Sequence, residues 1–178
     1  KVSENLVASD VQFKMTDKWA LNAGEARYEL NVELSMPIDT ILLQCDVPVE
    51  RLDADSNAAI VSRTTLPAGL LATYRFQEDG ERVNRLEMCV RTSEGRYGNL
   101  MAYVWPRISP KMCKAATYPI KPLSLHTRMQ STVVEGELPQ MNTLSITGSF
   151  SLAEVHAWVV TCLPEVPVRL QAEEASFI

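Results

Sequence analysis

The residues best suited to chemistry lie near the end of the chain, in the stretch SFSLAEVHAWVVTCLPEVP at positions 149–167. His156 follows Glu154 by two positions, and an imidazole beside a carboxylate, with a cysteine thiol in reach, could serve a small hydrolase or a metal enzyme. A metal site would need a further ligand at a defined spacing, and the second histidine, His126, lies in a proline-rich segment. No HExxH or distal CxxC motif accompanies them. We therefore interpret His156 as a surface or boundary residue of a helix.

A second candidate is the acidic stretch DADSNAA at positions 53–59. Asp53, Asp55 and Asn57 follow the order that opens a calcium-binding EF-hand loop. The sixth position of such a loop is glycine and the twelfth is glutamate, whereas this chain has Ala58 and Thr64 there. The pattern favours a turn in which the side chains bond to their own backbone.

The thiols form no recognisable site either. The four cysteines are Cys45, Cys89, Cys113 and Cys162, and none is in a CxxC pair. No nucleophile elbow, P-loop or dinucleotide fingerprint occurs, so we predict no catalytic residue, no metal and no cofactor. The absence of both CxxC pairs and N-x-[ST] sequons favours a reducing compartment.

Composition excludes several classes of partner. The chain has 178 residues, 46% of them hydrophobic, which allows a sizeable core. The chain has 17 basic residues, which are scattered, and 22 acidic ones, for a net charge of −5. This balance argues against nucleic acid as a binding partner. No apolar run approaches the ~18 residues of a membrane span, so we expect contact with a membrane to be peripheral at most. The opening KVSENLVASD has neither methionine nor a signal segment, and we expect the sequence to be an excerpt of a longer protein.

Strands must form most of the framework. In ARYELNVELSM, Tyr28, Leu30, Val32 and Leu34 alternate with polar residues, which predicts a half-buried strand. Similar runs are SDVQFKM, DTILLQCDVPV, AAIVSRT, LLATYRF, NRLEMCVRT and NLMAYVWP, separated by turn residues. We predict seven or eight strands between residues 9 and 125, packed as a β-sandwich. Prolines 106, 110, 119, 122 and 139 restrict the following part to edge strands and connections.

A domain boundary is expected in or near TRMQSTVVEGELPQ, giving a sandwich over 1–128 and a second unit over 129–178. MNTLSITGSF alternates like a strand, and Ser151 with Glu154 forms an S-x-x-E capping box that begins a helix. The prolines of LPEVP end that helix. One strand and one helix are too little for a domain, so we interpret 129–178 as the start of a second domain that is cut short.

Large aromatic residues are the remaining candidates for binding a partner. Leu152, Val155, Val159 and Cys162 repeat at three to four residues, which predicts an apolar stripe along the helix. Trp105 and Trp158 could be anchors, although most tryptophans are core residues, and we favour a core position for both. If the helix does present an interface, the residues predicted to form it are Val155, Trp158 and Val159.

Three long segments together carry a resemblance to a known family: LLQCDVPVERLDADSNAAIVS, YVWPRISPKMCKAATYPIKPLSLH and MNTLSITGSFSLAEVHAWVVTCLPEVP. They resemble subunits of the Bardet-Biedl syndrome complex, the BBSome. The resemblance implies a mainly β chain: an immunoglobulin-like sandwich similar to the γ-adaptin ear, then a partial α/β platform with one helix. A propeller and a coiled coil before it, and helices after it, would lie outside this chain.

The resemblance also implies a function without catalysis. Such a subunit belongs to a coat-like adaptor that moves membrane receptors through cilia and supports ciliogenesis. Its expected partners are the protein 2 and protein 9 subunits, and the whole complex carries the ciliary membrane-protein cargo. Its expected location is the cilium, the ciliary basal body and the cytoplasm, with the complex on the ciliary membrane. Two alternatives stay open: a stand-alone peptide-binding adaptor ear in vesicle trafficking, and a small hydrolase or metal enzyme using His156, Glu154 and a cysteine.

Overall fold

The computed structural model describes residues 12–52, 61–66, 69–76, 83–125, 145–164 and 166–169. Within these ranges there are nine strands and one helix. In chain order they are β1 (Met15–Asn22), β2 (Arg27–Leu34), β3 (Ile38–Cys45), β4 (Val49–Leu52), β5 (Val61–Leu66), β6 (Gly69–Arg75), β7 (Arg85–Thr92), β8 (Gly98–Pro106), β9 (Lys114–Ile120) and α1 (Leu152–Cys162).

The strands form two antiparallel sheets that face each other. One sheet has the order β1-β2-β7-β4 and the other β5-β6-β3-β8-β9. Successive strands along the chain repeatedly change sheet, as in immunoglobulin-like sandwiches. This arrangement, called the sandwich below, confirms the predicted mainly β fold.

Strand β2 shows how the alternating pattern produces the core. Tyr28, Leu30, Val32 and Leu34 are at most 4% exposed, whereas the polar residues between them face outward. Each fully buried side chain of this size contributes about 1.5–3 kcal/mol. The predicted burial of this face is confirmed, and these residues fix the register of β2.

The core lies between the two sheets and draws on both inner faces. Residues at the centre of β3 and β8, such as Ile41, Leu43 and Val104, are fully buried. Gly69 begins β6 beside them, where a Cβ atom would come within 2.1 Å of the backbone oxygen of Cys45. That close approach explains the glycine, because any side chain would push β6 away from β3.

The nine described strands exceed the predicted seven or eight, because β4 begins at the end of the run DTILLQCDVPV and β9 lies in the proline-rich part. The first strand also lies further along the chain than predicted. The run SDVQFKM was expected to be the first strand, but residues 12–14 are not in a strand, β1 begins at Met15, and residues 9–11 lie outside the described part. Asp17 lies opposite Val32 of β2, on the inward-facing side, and interrupts the alternation. A short polar residue on that side hides the strand from a pattern search.

The expectation that the prolines permit only edge positions is confirmed for Pro119 in β9, whereas Pro106 is the last residue of β8, a strand with a neighbour on each side. Strand β9 pairs with β8, and Pro119 lies opposite Asn99. Proline has no backbone N–H to donate, so it is tolerated at a sheet edge. Its carbonyl oxygen remains available and accepts a bond from Trp19 Nε1 at 3.0 Å.

Helix α1 begins and ends where the sequence predicts. Ser151 Oγ accepts from the backbone N–H of Glu154 at 3.3 Å, and the Glu154 carboxylate accepts from the Ser151 N–H at 2.7 Å. The helix stops at Leu163, which is extended and is followed by Pro164. Among the described residues, no helix is long and apolar enough to cross a bilayer.

The predicted strand before α1 is wrong where it can be compared. Residues 145–150 are not in a strand, and Ile146 is 55% exposed; residues 141–144 lie outside the described part. Alternation alone does not make a strand, because a strand also needs a neighbouring strand to pair with. The resemblance also implies that EEASFI begins a second strand of the platform, and that segment lies outside the described residues as well.

Candidate interaction surface

The predicted interface residues lie on one side of α1. Val155, Trp158 and Val159 are spaced by three and four positions, which places them on the same face of a helix. Val155 and Val159 are half-buried, and Trp158 is 48% exposed. We call these three residues the exposed helix face.

The core position predicted for Trp158 is therefore wrong. Its indole makes an edge contact with Phe150, with ring centroids 5.3 Å apart and planes at 66°. Leu152, expected to be part of a buried stripe, is 38% exposed. The described part of the chain covers this stripe only partly, and it buries the other side of the helix more deeply.

That other side contains His156, which was expected at the surface or a boundary. It is 6% exposed and is the buried residue of α1. Its Nε2 lies 2.7 Å from the backbone oxygen of Pro167, and since a carbonyl oxygen only accepts, Nε2 is the donor. His156 thus fixes the chain that turns back after the helix. The other histidine of the chain, His126, lies outside the described residues.

Glu154 is also committed to structure. Its carboxylate bonds both the backbone N–H and the hydroxyl of Ser151, and these bonds hold the pKa of Glu154 below its usual value of 4.5. A carboxylate with a lowered pKa is a weaker base. The capping box therefore competes with any role of Glu154 as a proton acceptor.

All four cysteines are unpaired thiols. Cys45 is buried, Cys89 and Cys162 are half-buried, and Cys113 is exposed. Desolvation raises the pKa values of Cys45, Cys89 and Cys113 above 9.0, and a protonated thiol is a poor nucleophile. In the described ranges, no three His, Cys, Asp or Glu side chains are close enough to hold a metal ion.

Thr64 is the residue that bears on the EF-hand pattern in the described part of the chain. Residues 53–60 lie outside the described part, while Thr64, in the place of the twelfth ligand, lies in β5. Position 12 of such a loop belongs to the start of a helix. A strand there does not match that geometry.

Trp105 is likewise not in the core, contrary to the prediction. It lies on β8 with its side chain on the outer face of the five-stranded sheet, and its ring centroid is 6.4 Å from that of Tyr103. The register places Leu42 and Met101 on the same face, and Leu71 is 36% exposed beside them. We call this second apolar surface the outer sheet face.

The outer face of the four-stranded sheet is polar instead. Arg27 contacts Glu25 at 2.6 Å and Glu29 at 3.2 Å, and Arg85 pairs with Glu87. A shallow depression of about 350 Å³ lies among these side chains, with charges of both signs around it. Mutually paired surface charges of this kind contribute little to stability, because water and salt screen them.

No sequence pattern predicted the contact between the sandwich and α1. Lys121, one residue after β9, donates from Nζ to the backbone oxygens of Val160 at 2.6 Å and Leu163 at 2.9 Å. The Leu123 N–H donates to the Cys162 oxygen at 3.1 Å. Lys121 is 39 positions from Val160, so no local pattern could have revealed the contact.

The sandwich holds Lys121 through a ring of hydrogen bonds. The Lys121 N–H donates to the Tyr28 hydroxyl at 3.4 Å, and Tyr28 Oη lies 2.6 Å from Ser124 Oγ. The Ser124 hydroxyl donates in turn to the Lys121 carbonyl. Ser124 is 2% exposed, so these bonds form in a site shielded from water.

Two family models match this chain. The model of the BBS7 GAE domain matches residues 11–118, and that of the BBS7 platform domain matches residues 126–178. The curated relatives include "BBSome complex member BBS7" of Mus musculus, 48% identical over 169 residues, which are 92% of this chain and 23% of that protein. "BBSome complex member bbs-7" of Caenorhabditis elegans is 37% identical over 161 residues, 88% of this chain and 22% of that protein.

The chain spans less than a quarter of the length of either relative. The match nonetheless covers nearly all of this chain, and the sandwich agrees with the adaptin-ear-like domain of the first family model. The chain therefore belongs to the BBS7 family, and it matches the models of both the GAE domain and the platform domain of that family.

Proposed function

We propose that this chain is part of a non-enzymatic structural and interaction subunit of a BBSome. The observation that carries the proposal is the 48% identity, across 92% of the chain, to a mouse protein named as a BBSome complex member. The engagement of Glu154 and His156 in structural bonds supports a role without catalysis.

The exposed helix face is the surface we assign to contact with another subunit. Trp158 is 48% exposed and has half-buried valines on either side of it along the helix. Tryptophan is enriched among the residues that dominate binding energy, and a rim of apolar neighbours excludes water from it. The proposed partners are the protein 2 and protein 9 subunits of the complex.

The domain boundary is part of the same proposal. We assign residues 1–128 to the ear and 129–178 to the start of the platform. The hydrogen bonds of Ser124 and Lys121 to Tyr28 support the assignment of residues up to 125 to the ear.

The cellular role follows from membership of the complex. As a BBSome subunit, the protein takes part in moving membrane receptors into and out of cilia and in building the cilium. It resides in the cilium, at the basal body and in the cytoplasm, and reaches the ciliary membrane as part of the complex.

Affinity purification tests this function. Tagged full-length protein, expressed in ciliated cells, is expected to recover the other BBSome subunits in comparable amounts and to concentrate at the base of the cilium. Purified protein that carries none of those subunits would contradict the proposed function.

A second function, peptide binding by the ear itself, is favoured by the outer sheet face. Tyr103 and Trp105 lie side by side there, and Leu71 is exposed. Apolar grooves with aromatic side chains accept short peptides. Titration of acidic peptides that contain aromatic residues into the full chain tests this function. A peptide-binding ear is expected to give saturable binding that Trp105→Ala abolishes, and the absence of saturable binding would contradict it.

A further inference from the structure

The short segment 121–125 lies between the residues matched by the two family models, which end at 118 and begin again at 126. It would ordinarily be regarded as a linker. In the structure its residues bond both to the sandwich and to α1. A linker bonded on both sides holds two units in a fixed relation.

We propose that Lys121 is a latch that fastens helix α1 to the ear, so that the ear and the start of the platform move as one body. The inference concerns this chain alone and does not depend on membership of a BBSome. The latch joins a side chain of the ear to the carboxyl end of the helix.

The helix end needs such a partner. The last carbonyl groups of a helix lack intrahelical donors, and they carry partial negative charge. Helix α1 has no basic residue of its own in the last turn. Lys121 supplies the missing cation and bonds Val160 and Leu163, while the Leu123 N–H bonds Cys162.

The ear side of the latch is rigid. The backbone of Lys121 is tied at both its N–H and its carbonyl to the pair Tyr28 and Ser124. Tyr28 is 4% exposed and belongs to the core of the sandwich. The Lys121 side chain therefore extends from a backbone position that the sandwich fixes, and its charge-assisted bonds to the helix carbonyls are stronger than bonds between neutral groups.

An ordinary surface lysine provides the comparison. Lys111 pairs with Asp39 at 2.6 Å, but its side chain is 63% exposed. Such exposed pairs have little effect on structure. Lys111→Met is therefore the matched control for Lys121→Met, since both substitutions remove one ammonium and retain a similar aliphatic chain.

Hydrogen exchange of the α1 amides in the full chain tests the latch. The helix has 11 residues, below the ~12–15 at which an isolated helix becomes marginally stable, so release from the ear unfolds it. In Lys121→Met we expect the amides of Val155–Cys162 to exchange at least about tenfold faster than in the parent, with β2 and β8 unchanged. Lys111→Met is expected to leave α1 as in the parent, and Lys121→Arg to restore most of the protection.

Two outcomes would overturn the latch. In one, the α1 amides of Lys121→Met exchange within about twofold of the parent, below the expected change. In the other, exchange rises equally in α1, β2 and β8. Lys121 would then stabilise the whole fold and would not specifically attach the helix to the ear.

Discussion

The ring of Trp19 stacks on the ring of Tyr28, with centroids 4.6 Å apart and planes at 4°. Trp19 also contacts Tyr118 at 5.5 Å and donates to Pro119, both on β9 of the opposite sheet. One tryptophan thus joins the two sheets along the side where Tyr28 holds Ser124. The stability of the sandwich and the position of Lys121 depend on the same cluster.

Replacing this tryptophan should destabilise the sandwich. We expect Trp19→Ala to lower the free energy of unfolding by about 3 kcal/mol, because a large aromatic side chain is lost from the edge of the core. Trp19→Phe keeps a ring to stack and loses the bond to Pro119, at a cost of about 1 kcal/mol. Denaturant unfolding measures both, and equal losses for the two variants would contradict the importance of stacking.

Trp158 should behave in the opposite way. Because it is 48% exposed, we expect Trp158→Ala to change the free energy of unfolding by less than about 1 kcal/mol, mainly through the lost contact with Phe150. Thermal unfolding of Trp158→Ala and Trp19→Ala under the same conditions compares the two losses of stability. A loss of about 3 kcal/mol or more at position 158 would restore the core assignment that the structure rejects.

Acid should loosen the start of α1. Folding lowers the pKa of Glu154, so the carboxylate form favours the helix. This contribution is complete above the usual pKa of 4.5 and is lost as the pH falls through the lower folded value. Exchange rates of α1 amides, measured from pH 6 downward and corrected for intrinsic exchange, should rise in that window.

Ser151→Ala is the control for the acid effect. It removes the hydroxyl of the capping box and should weaken the helix by about 1 kcal/mol at neutral pH. It should also reduce the additional loosening below pH 4.5, since the hydroxyl bond to Glu154 is one cause of the lowered pKa. If α1 loosens at low pH as much in this variant as in the parent, the acid effect does not arise from the capping box.

The cysteines should react as ordinary, weakly acidic thiols. Cys113 is exposed, and partial burial raises its pKa above 9.0. We expect its alkylation by iodoacetamide, followed by peptide mass spectrometry, to accelerate with pH beyond 9.0. A rate that levels off below pH 8 would indicate an activated thiol and would reopen the enzyme hypothesis.

The parts of the fold that could be predicted are those encoded locally. The alternation of β2 and the capping box at Ser151 each involve residues within a few positions, and both are confirmed. Strand β1 was missed because Asp17 breaks the pattern on its inward-facing side. A local rule fails where one polar residue occupies an apolar position.

The candidate surface was predicted only in part. Helical spacing correctly placed Val155, Trp158 and Val159 on one face, but it could not show which face of the helix is covered. The answer depends on His156 and on Lys121, whose bond to Val160 spans 39 positions. Contacts this distant in sequence leave no periodic signal.

The most direct test of the account is the recovery of BBSome subunits with tagged full-length protein, comparing Trp158→Asp with Tyr97→Asp. Both residues are exposed, Tyr97 at 75%, so neither substitution should unfold the protein. We predict that the parent and Tyr97→Asp recover the protein 2 and protein 9 subunits equally, and that Trp158→Asp recovers them at least about tenfold less. Equal recovery by all three would contradict the assigned surface, and no recovery by the parent would contradict the proposed function itself.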